Sequence, residues 1–253
     1  MIFQQIRNAT IKITYQNKVI LIDPWLAKKG SLRSIESPDP KKNTIKNPTA
    51  ELPMSISDIV DDVDVCIITH NHIDHFDEVS INYLNKEIKI LVQNNDDLKI
   101  IKDLGFNDIE LLNSSGTIFD GVTIIQTKGQ HGESKESAEG PVSGAILKGN
   151  NEKIVYICGD TIWYNEIAET IKKYQPEVIV LNACDARLKS GRLIMNLDDI
   201  KEVHEFANDA NIIVSHMEAV NHAYVNRVDV KKFVKENNLK KIYIPDDGES
   251  YKF

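Results

Sequence analysis

The residues most able to do chemistry lie in one stretch, Thr69-His70-Asn71-His72-Ile73-Asp74-His75-Phe76-Asp77. His70, His72, Asp74 and His75 fall within six positions, directly after the apolar run 63–68. Such crowding is poor core material, because every buried imidazole and carboxylate would need its own partner. Imidazole and carboxylate together suit Zn²⁺, Mn²⁺ or Fe²⁺. His70 and His72, two apart, point the same way on extended backbone and can clasp one ion. Asp74 and His75 fall in the turn that opens the next helix and can reach a second.

A positional rule extends the set. His131 follows the run 122–127, Asp160 follows 154–159 and His216 follows 212–215. Each lies at or just past the C-terminal end of an apolar run, where rigid strands give way to loops. Asp23 after 19–22 and Asp246 after 242–245 obey the rule too. Seven ligand-grade residues on four strand-end loops describe a two-metal site more economically than seven separate accidents. His222 competes with His216 as the terminal ligand. His216 is preferred because it directly ends a strand, which leaves His222 as substrate binder, proton donor or surface loop histidine. His204 sits in a helical pattern and reads as packing. Trp163 and Tyr164 read as a pocket floor or a core anchor. Arg187, Lys189 and Arg192 read as a solvated loop or a bidentate phosphate clamp. Cys66, Cys158 and Cys184 are odd in number and lie inside apolar runs, which marks them as core thiols rather than a disulfide framework or nucleophiles.

Positioning these groups requires strands. Short β-branched runs occur at 10–15, 18–23, 63–69, 88–93, 108–112, 117–127, 142–148, 153–159, 177–182, 211–215 and 240–244. The early ones stand at hairpin distances, which predicts antiparallel pairing. Helical patterns occur at 78–86 behind Asp77, 96–104 behind Asn95 and ahead of Gly105, 166–174, 197–207 behind Asn196, and 228–236. Interleaved strands and helices without a linker-like stretch argue for one layered α/β domain over 1–253. A polar, proline-containing loop at 27–62 interrupts it, with one short helix expected near 56–60. A loop of that length suits a lid or a self-association surface, and so a homo-oligomer.

Composition narrows the partners. Among 253 residues, 30 Lys and Arg face 38 Asp and Glu, a net charge of −8 that repels phosphate polymers and anionic membranes. Against that trend, residues 28–46 carry Lys28, Lys29, Arg33, Lys41, Lys42 and Lys46 beside only Glu36 and Asp39, either a solvated loop or an anion-attracting rim. No run reaches the roughly 18 apolar residues of a membrane span. The N-terminal Met-Ile-Phe-Gln-Gln-Ile-Arg has no leader pattern, so a cytoplasmic protein is expected.

Together, His-x-His-x-Asp-His, the later Gln130-His131-Gly132, Gly159-Asp160-Thr161 and a strand-terminal His216 resemble the metallo-β-lactamase superfamily. Ile22-Asp23-Pro24-Trp25, the run from His216 to His222 and the ending Pro245-Asp246-Asp247-Gly248-Glu249 are similar to the hydrolases grouped with L-ascorbate-6-phosphate lactonase. The likeness runs from about residue 2 to 250. It implies a four-layer αββα sandwich, two central mixed β-sheets flanked by helices, with metals at the edge of the sheet pair. It further implies that His70, His72 and His131 hold one ion, that Asp74, His75 and His216 hold a second, and that Asp160 bridges. Asp23 would orient a ligand histidine from behind.

The expected activity is that of a hydrolase with two divalent ions, Zn²⁺ first and Mn²⁺ or Fe²⁺ as alternatives. Its shared hydroxide would attack a small, anionic lactone, ester, amide or phosphoester, oriented by Asp74. The alternative is a phosphodiesterase or nuclease on the same centre, which the net charge disfavours. The superfamily's di-iron oxidoreductases place a Glu where His72 stands and add a flavin domain, so a redox role is not expected. Neither is a degenerate sensor, because every ligand position is filled.

Overall fold

In the computed structural model, which describes residues 1–135 and 137–253, Ile20 and Ile22 point into one core while Leu21 between them points into another. Val65 and Ile67 alternate with Cys66 and Ile68 in the same way. This period-2 division is what a strand buried on both faces requires, and it places each sheet between two apolar layers.

The first sheet holds β1 (Ile2–Arg7), β2 (Thr10–Tyr15), β3 (Lys18–Ile22), β4 (Val65–Ile68), β5 (Lys89–Val92) and β6 (Ile109–Leu111) in that order, with β16 (Ser250–Lys252) outside β1. Pairing is antiparallel from β16 to β3, as the hairpin spacing predicts, and parallel from β3 to β6. The second sheet runs β15 (Ile242–Tyr243), β14 (Asn211–Ser215), β11 (Val178–Asn182), β10 (Val155–Ile157), β9 (Ser143–Lys148), β8 (Val122–Lys128) and β7 (Thr117–Phe119). Its first four are parallel and the rest antiparallel, so β8, β10, β11 and β14 share one direction. Their C-terminal ends therefore meet along one edge. A small hairpin, β12 (Arg187–Leu188) and β13 (Gly191–Arg192), stands apart.

Facing side chains of the sheets make the central core, among them Phe3, Ile13 and Val65 against Ile124, Leu147 and Val180. On the outer face of the first sheet lie α1 (Ile56–Val60), α2 (Glu78–Tyr83) and α3 (Asn95–Asp103), contributing Ile59, Val79 and Ile101. The second sheet is covered by α4 (Asn165–Tyr174), α5 (Leu197–Phe206) and α6 (Arg227–Glu236) through Ile167, Ile171, Ile200, Val203 and Val230. Two mixed sheets flanked by helices are the expected αββα order. Asn196 and Asn226 start α5 and α6 with reciprocal bonds to Asp199 and Asp229, each such cap contributing about 1 kcal/mol.

Segment 27–62 contains α1, a 3-10 turn at Lys42–Thr44 and a Leu32–Asn47 bridge. Asn221, beyond β14, ties it down. Its Oδ1 accepts from Ile35 N and Asn47 Nδ2, both at 2.9 Å, and its Nδ2 donates to the carbonyls of Ile35 at 2.8 Å and Lys42 at 3.0 Å. Lys42 Nζ adds a bond to Ala223 O at 2.7 Å. The segment is thus a fixed wall beside the strand ends.

Candidate metal centre

The parallel strands deliver their terminal residues to one place. β4 ends at Ile68 and releases the His-x-His-x-Asp-His turn; β8, β10 and β14 release His131, Asp160 and His216. Donor atoms of His70, His72 and His131 lie within 4.8 Å of one another, as do those of Asp74, His75 and His216. A third group, His70, His75 and Asp160, joins the two. All seven candidates thus form one cluster, buried except for half-buried His72. Asp160 lies at its middle: Oδ2 is 3.2 Å from His75 Nε2, 3.6 Å from His216 Nε2 and 3.7 Å from His131 Nε2.

Local backbone explains the aim of these groups. Gly159 has φ +69°, and a Cβ there would lie 2.5 Å from Ser143 O, so only glycine lets Asp160 approach β9 this closely. His216 has φ +64°, a left-handed turn that swings its ring off the strand, at a cost of about 1–3 kcal/mol for a bulky residue. Its amide donates to Asn8 O at 3.0 Å, which helps hold the turn.

The rear nitrogen of four rings is occupied. His75 Nδ1 is 2.9 Å from Asp23 Oδ2, His70 Nδ1 3.1 Å from Thr69 Oγ1, His131 Nδ1 3.2 Å from Leu193 O and His216 Nδ1 3.5 Å from Cys184 Sγ. Asp23 also accepts from Thr69 N and Oγ1, both at 2.7 Å. An imidazole that donates from Nδ1 presents a lone pair at Nε2, the arrangement a metal ligand needs. Inside the cluster those lone pairs face one another: His70 Nε2 is 2.9 Å from His72 Nδ1, and His75 Nε2 is 3.3 Å from His216 Nε2. Acceptors this close call for a cation or protons between them. The donor set, all imidazole and carboxylate, fits divalent Zn²⁺, Mn²⁺ or Fe²⁺.

Electrostatics agree with this picture. Burial disfavours the charged form of His75, but Asp160, Asp23 and Asp74 outweigh it and push its pKa up to about 10. His216 is raised against the same burial penalty by Asp160, Cys184 and Asp74. Burial alone would raise the carboxyls of Asp74 and Asp160, yet His75 and His216 hold both below the usual carboxylate range. Burial pushes His70 and His131 down, so both keep free lone pairs.

Several groups fall elsewhere. Asp246 is exposed, 3.6 Å from Lys231, and does not join the cluster despite its strand-end position. His204, in α5, accepts from Lys240 N at 3.3 Å and is not part of the cluster. Trp163 packs on Phe206 with ring centres 5.7 Å apart, a core anchor rather than a pocket floor. Arg187 pairs with Asp185, Lys189 with Glu36, and Arg192 with Asp199 and Glu133. Cys66 and Cys158 are buried packing residues, whereas Cys184 also touches His216.

Three neutral residues support the centre without standing out in the sequence. Asn182 Nδ2 donates to Asp160 Oδ1 at 2.7 Å; Asn8 Nδ2 lies 3.1 Å from Asp74 O and 3.3 Å from His216 Nε2; Thr69 links Asp23 to His70. Only Asn182 carries a usable signal, since it ends an apolar run as the candidate ligands do.

Beside the cluster lies a cavity of about 220 Å³, lined by His72, Asp74, His131, Asp160, His216 and His222. Ile35, Ile73, Ala186, Leu188, Leu193 and Glu139 complete its lining. His222 is 4% exposed, and its Nδ1 has no hydrogen-bond partner among the described residues. Burial pushes its pKa down to about 4, against the pull of Asp74 and Asp160.

Comparison with known proteins gives this geometry a family. Residues 18–217 match the family model described as "Beta-lactamase superfamily domain". The UPF0173 protein YddR of Bacillus subtilis is 47% identical over 253 residues, spanning 98% of each chain. The crystal structure of a possible metal-dependent hydrolase from Veillonella parvula superposes with a TM-score of 0.96 at 33% identity, covering 100% of this chain and 99% of that one. That of isothiocyanate hydrolase from Delia radicum gut bacteria superposes with a TM-score of 0.94 at 34% identity, over the same shares. The chain belongs to the metallo-β-lactamase superfamily, as a metal-dependent hydrolase of the UPF0173 group.

Proposed function

We propose that this protein hydrolyses a small, uncharged electrophile with an apolar substituent, of the isothiocyanate class, at a two-metal centre. The observation that carries the reading is the cavity: besides the His/Asp cluster and His222 its lining is Ile35, Ile73, Ala186, Leu188, Leu193 and one further carboxylate, Glu139, and no Lys or Arg lines it among the described residues. An anionic substrate would meet no cationic side chain among the described residues that line this cavity. Arg187, Lys189 and Arg192 are committed to carboxylates. The isothiocyanate hydrolase, 34% identical over the whole chain, supports the same class.

In this reading His70, His72 and His131 would hold one ion and Asp74, His75 and His216 the other, with Asp160 between the two groups and Asp23 fixing His75 from behind. The ions, when bound, supply Lewis-acid charge that makes water a nucleophile near neutral pH. Asp74 orients the attacking water through its carboxylate. His222, neutral at pH 7, donates a hydrogen bond to the sulfur or oxygen that gains charge, much as a neutral imidazole can serve as an electrophile. Water adds to the central carbon and forms one C–O bond; the C–N bond then breaks. Both water hydrogens end on nitrogen, and an amine and carbonyl sulfide leave.

A nucleic-acid substrate finds no support, because polyanion binding rests on clustered cations and this cavity has none among the described residues. The test is turnover by zinc-reconstituted protein of methyl isothiocyanate, 4-nitrophenyl acetate and bis(4-nitrophenyl) phosphate, with His70→Ala as control. Amine release from the isothiocyanate, absent in the variant, is expected. Diester cleavage alone would overturn the proposal.

A further inference from the structure

Arg7, the last residue of β1, is wholly buried, and its hydrogen bonds among the described residues go to main-chain carbonyls and to no carboxylate. Nη2 donates to Trp25 O at 2.7 Å and to Ala27 O at 2.9 Å, and Nη1 donates to Ala50 O at 3.1 Å. Its Cζ lies 5.1 Å from the centre of the Trp25 ring, and Nε has no hydrogen-bond partner among the described residues. Burial lowers its pKa to about 10, against the pull of Asp77, Asp247 and Glu51, so the group stays charged at neutral pH. A buried cation without a bonded carboxylate adds little to stability, since an apolar residue of similar volume often serves a core as well or better. Departures of this kind concentrate where function requires them.

The bonded carbonyls share a position in the chain. Ala27 and Ala50 flank residues 28–49, the stretch that carries Ile35 to the metal-facing cavity. One guanidinium thus joins both ends of that stretch. Asp77 holds the same corner, its Oδ2 accepting from Ala27 N at 2.6 Å. The orientation of Asp23 does not depend on Arg7: its amide donates to Ile67 O at 3.0 Å, and its carboxylate is engaged by Thr69 and His75. We infer that Arg7 is a positioning residue, which closes the 28–49 stretch at its base and through Ile35 fixes one wall of the cavity. The rigid fork of a guanidinium reaches carbonyls in divergent directions, which the point charge of a lysine cannot do in one fixed geometry. Without the fork, the carbonyls of Ala27 and Ala50 lose their donor. Buried and unpaired they are unfavourable, so the stretch opens until water reaches them.

Hydrogen exchange read by mass spectrometry tests this on the zinc-loaded protein, on Arg7→Met, which keeps most of the volume, and on Arg7→Lys, which keeps the charge. In the unaltered protein, peptides covering 28–49 are protected, as the paired backbone bonds between Leu32 and Asn47 at 2.7 and 3.0 Å require. In both variants that protection is lost, while β4, β10 and β14 keep theirs and the zinc content holds. A second reading rests on the proposed reaction. With the wall in place in about a tenth of the molecules, KM for methyl isothiocyanate rises about tenfold and kcat stays. Protection of 28–49 that survives both substitutions overturns the inference, and so does an unchanged KM in variants that have lost it. Loss of protection throughout the chain, or failure of both variants to fold, overturns it too, since either makes Arg7 a residue of general stability. Exchange needs no substrate: if no isothiocyanate is hydrolysed, the proposed reaction falls and the exchange result alone decides the role of Arg7.

Discussion

Asn182 Nδ2 lies 2.7 Å from Asp160 Oδ1, and through that bond the last residue of β11 fixes the carboxylate at the middle of the cluster. With Oδ1 engaged, Oδ2 is the oxygen that faces His75, His131 and His216. Replacing Asn182 with Ala frees the carboxylate to rotate and leaves Oδ1 buried without that donor. Supporting contacts of this kind are usually worth about 10–100-fold in metal affinity. Competition with a chromophoric chelator should therefore show zinc bound about tenfold or more weakly by Asn182→Ala. Unchanged affinity would mean that Asp160 is positioned by its own loop alone.

Asp23 invites a sharper substitution. Its carboxylate accepts from Thr69 N, Thr69 Oγ1 and His75 Nδ1. In Asp23→Asn an amide NH₂ replaces Oδ2 and faces His75 Nδ1 with hydrogens. That forces the proton of His75 onto Nε2, where it points into the cluster and blocks coordination. The variant should keep His70, His72 and His131 intact and lose the ion assigned to His75. Elemental analysis after gel filtration would then read about one zinc per chain in place of two. Full occupancy would show that His75 is oriented by other contacts.

Much of this centre is legible along the chain, because parallel strands of one direction necessarily bring their ends to one edge, and metal-ligand residues are rare enough to stand out there. The same rule overreaches at Asp246, which lies past an apolar run but follows β15, a two-residue strand at the edge of its sheet. Strand β1 is not legible. Its alternation is broken by buried Gln5 and Arg7, and Arg7 is satisfied by the distant carbonyls of Trp25, Ala27 and Ala50. The run 117–127 reads as continuous, yet Asp120 and Gly121 both take positive φ and fold it into the β7–β8 hairpin. Helix α2 stops at Tyr83, short of the expected residue 86, because Leu84 turns extended and is buried in the outer core. Asn8 and Asn221 carry no charge or spacing that marks them; their partners lie 208 and 186 residues away, a relationship only the folded chain contains.

Removing metal should loosen the fold. The cluster holds imidazole nitrogens 2.9 and 3.3 Å apart, a repulsion that only a cation or protons relieve. An ion that binds the native chain alone stabilises it by about 2.7 kcal/mol at a hundredfold excess over its dissociation constant. At this chain length each kcal/mol moves the melting temperature by roughly 2–4 °C. Calorimetric scans should therefore show zinc raising Tm by about 5–10 °C over chelator-treated protein, and His70→Ala should lose most of that increment. Equal melting temperatures with and without zinc would argue against binding to the native state.

The pH dependence of the metal-free protein should carry the signature of His222. Its folded pKa is depressed to about 4, chiefly by burial, while an unfolded histidine titrates near ~6.5. Above that value both states are neutral and the residue contributes no slope. As pH falls from there towards 4, the unfolded chain takes up a proton that the native chain refuses, so stability declines. Between pH 7 and pH 5 the loss from this one group should be about 2 kcal/mol. Other groups change their proton count on unfolding over the same interval, His70, His75, His131 and His216 among them, but they are common to the wild type and to a His222→Gln variant. The difference between the two proteins therefore isolates His222. Urea unfolding at both pH values should show the variant losing about 2 kcal/mol less than wild type on acidification. Parallel declines would place the Nδ1 of His222 in contact with water rather than in the dry, unpartnered setting that suits it to receive a substrate.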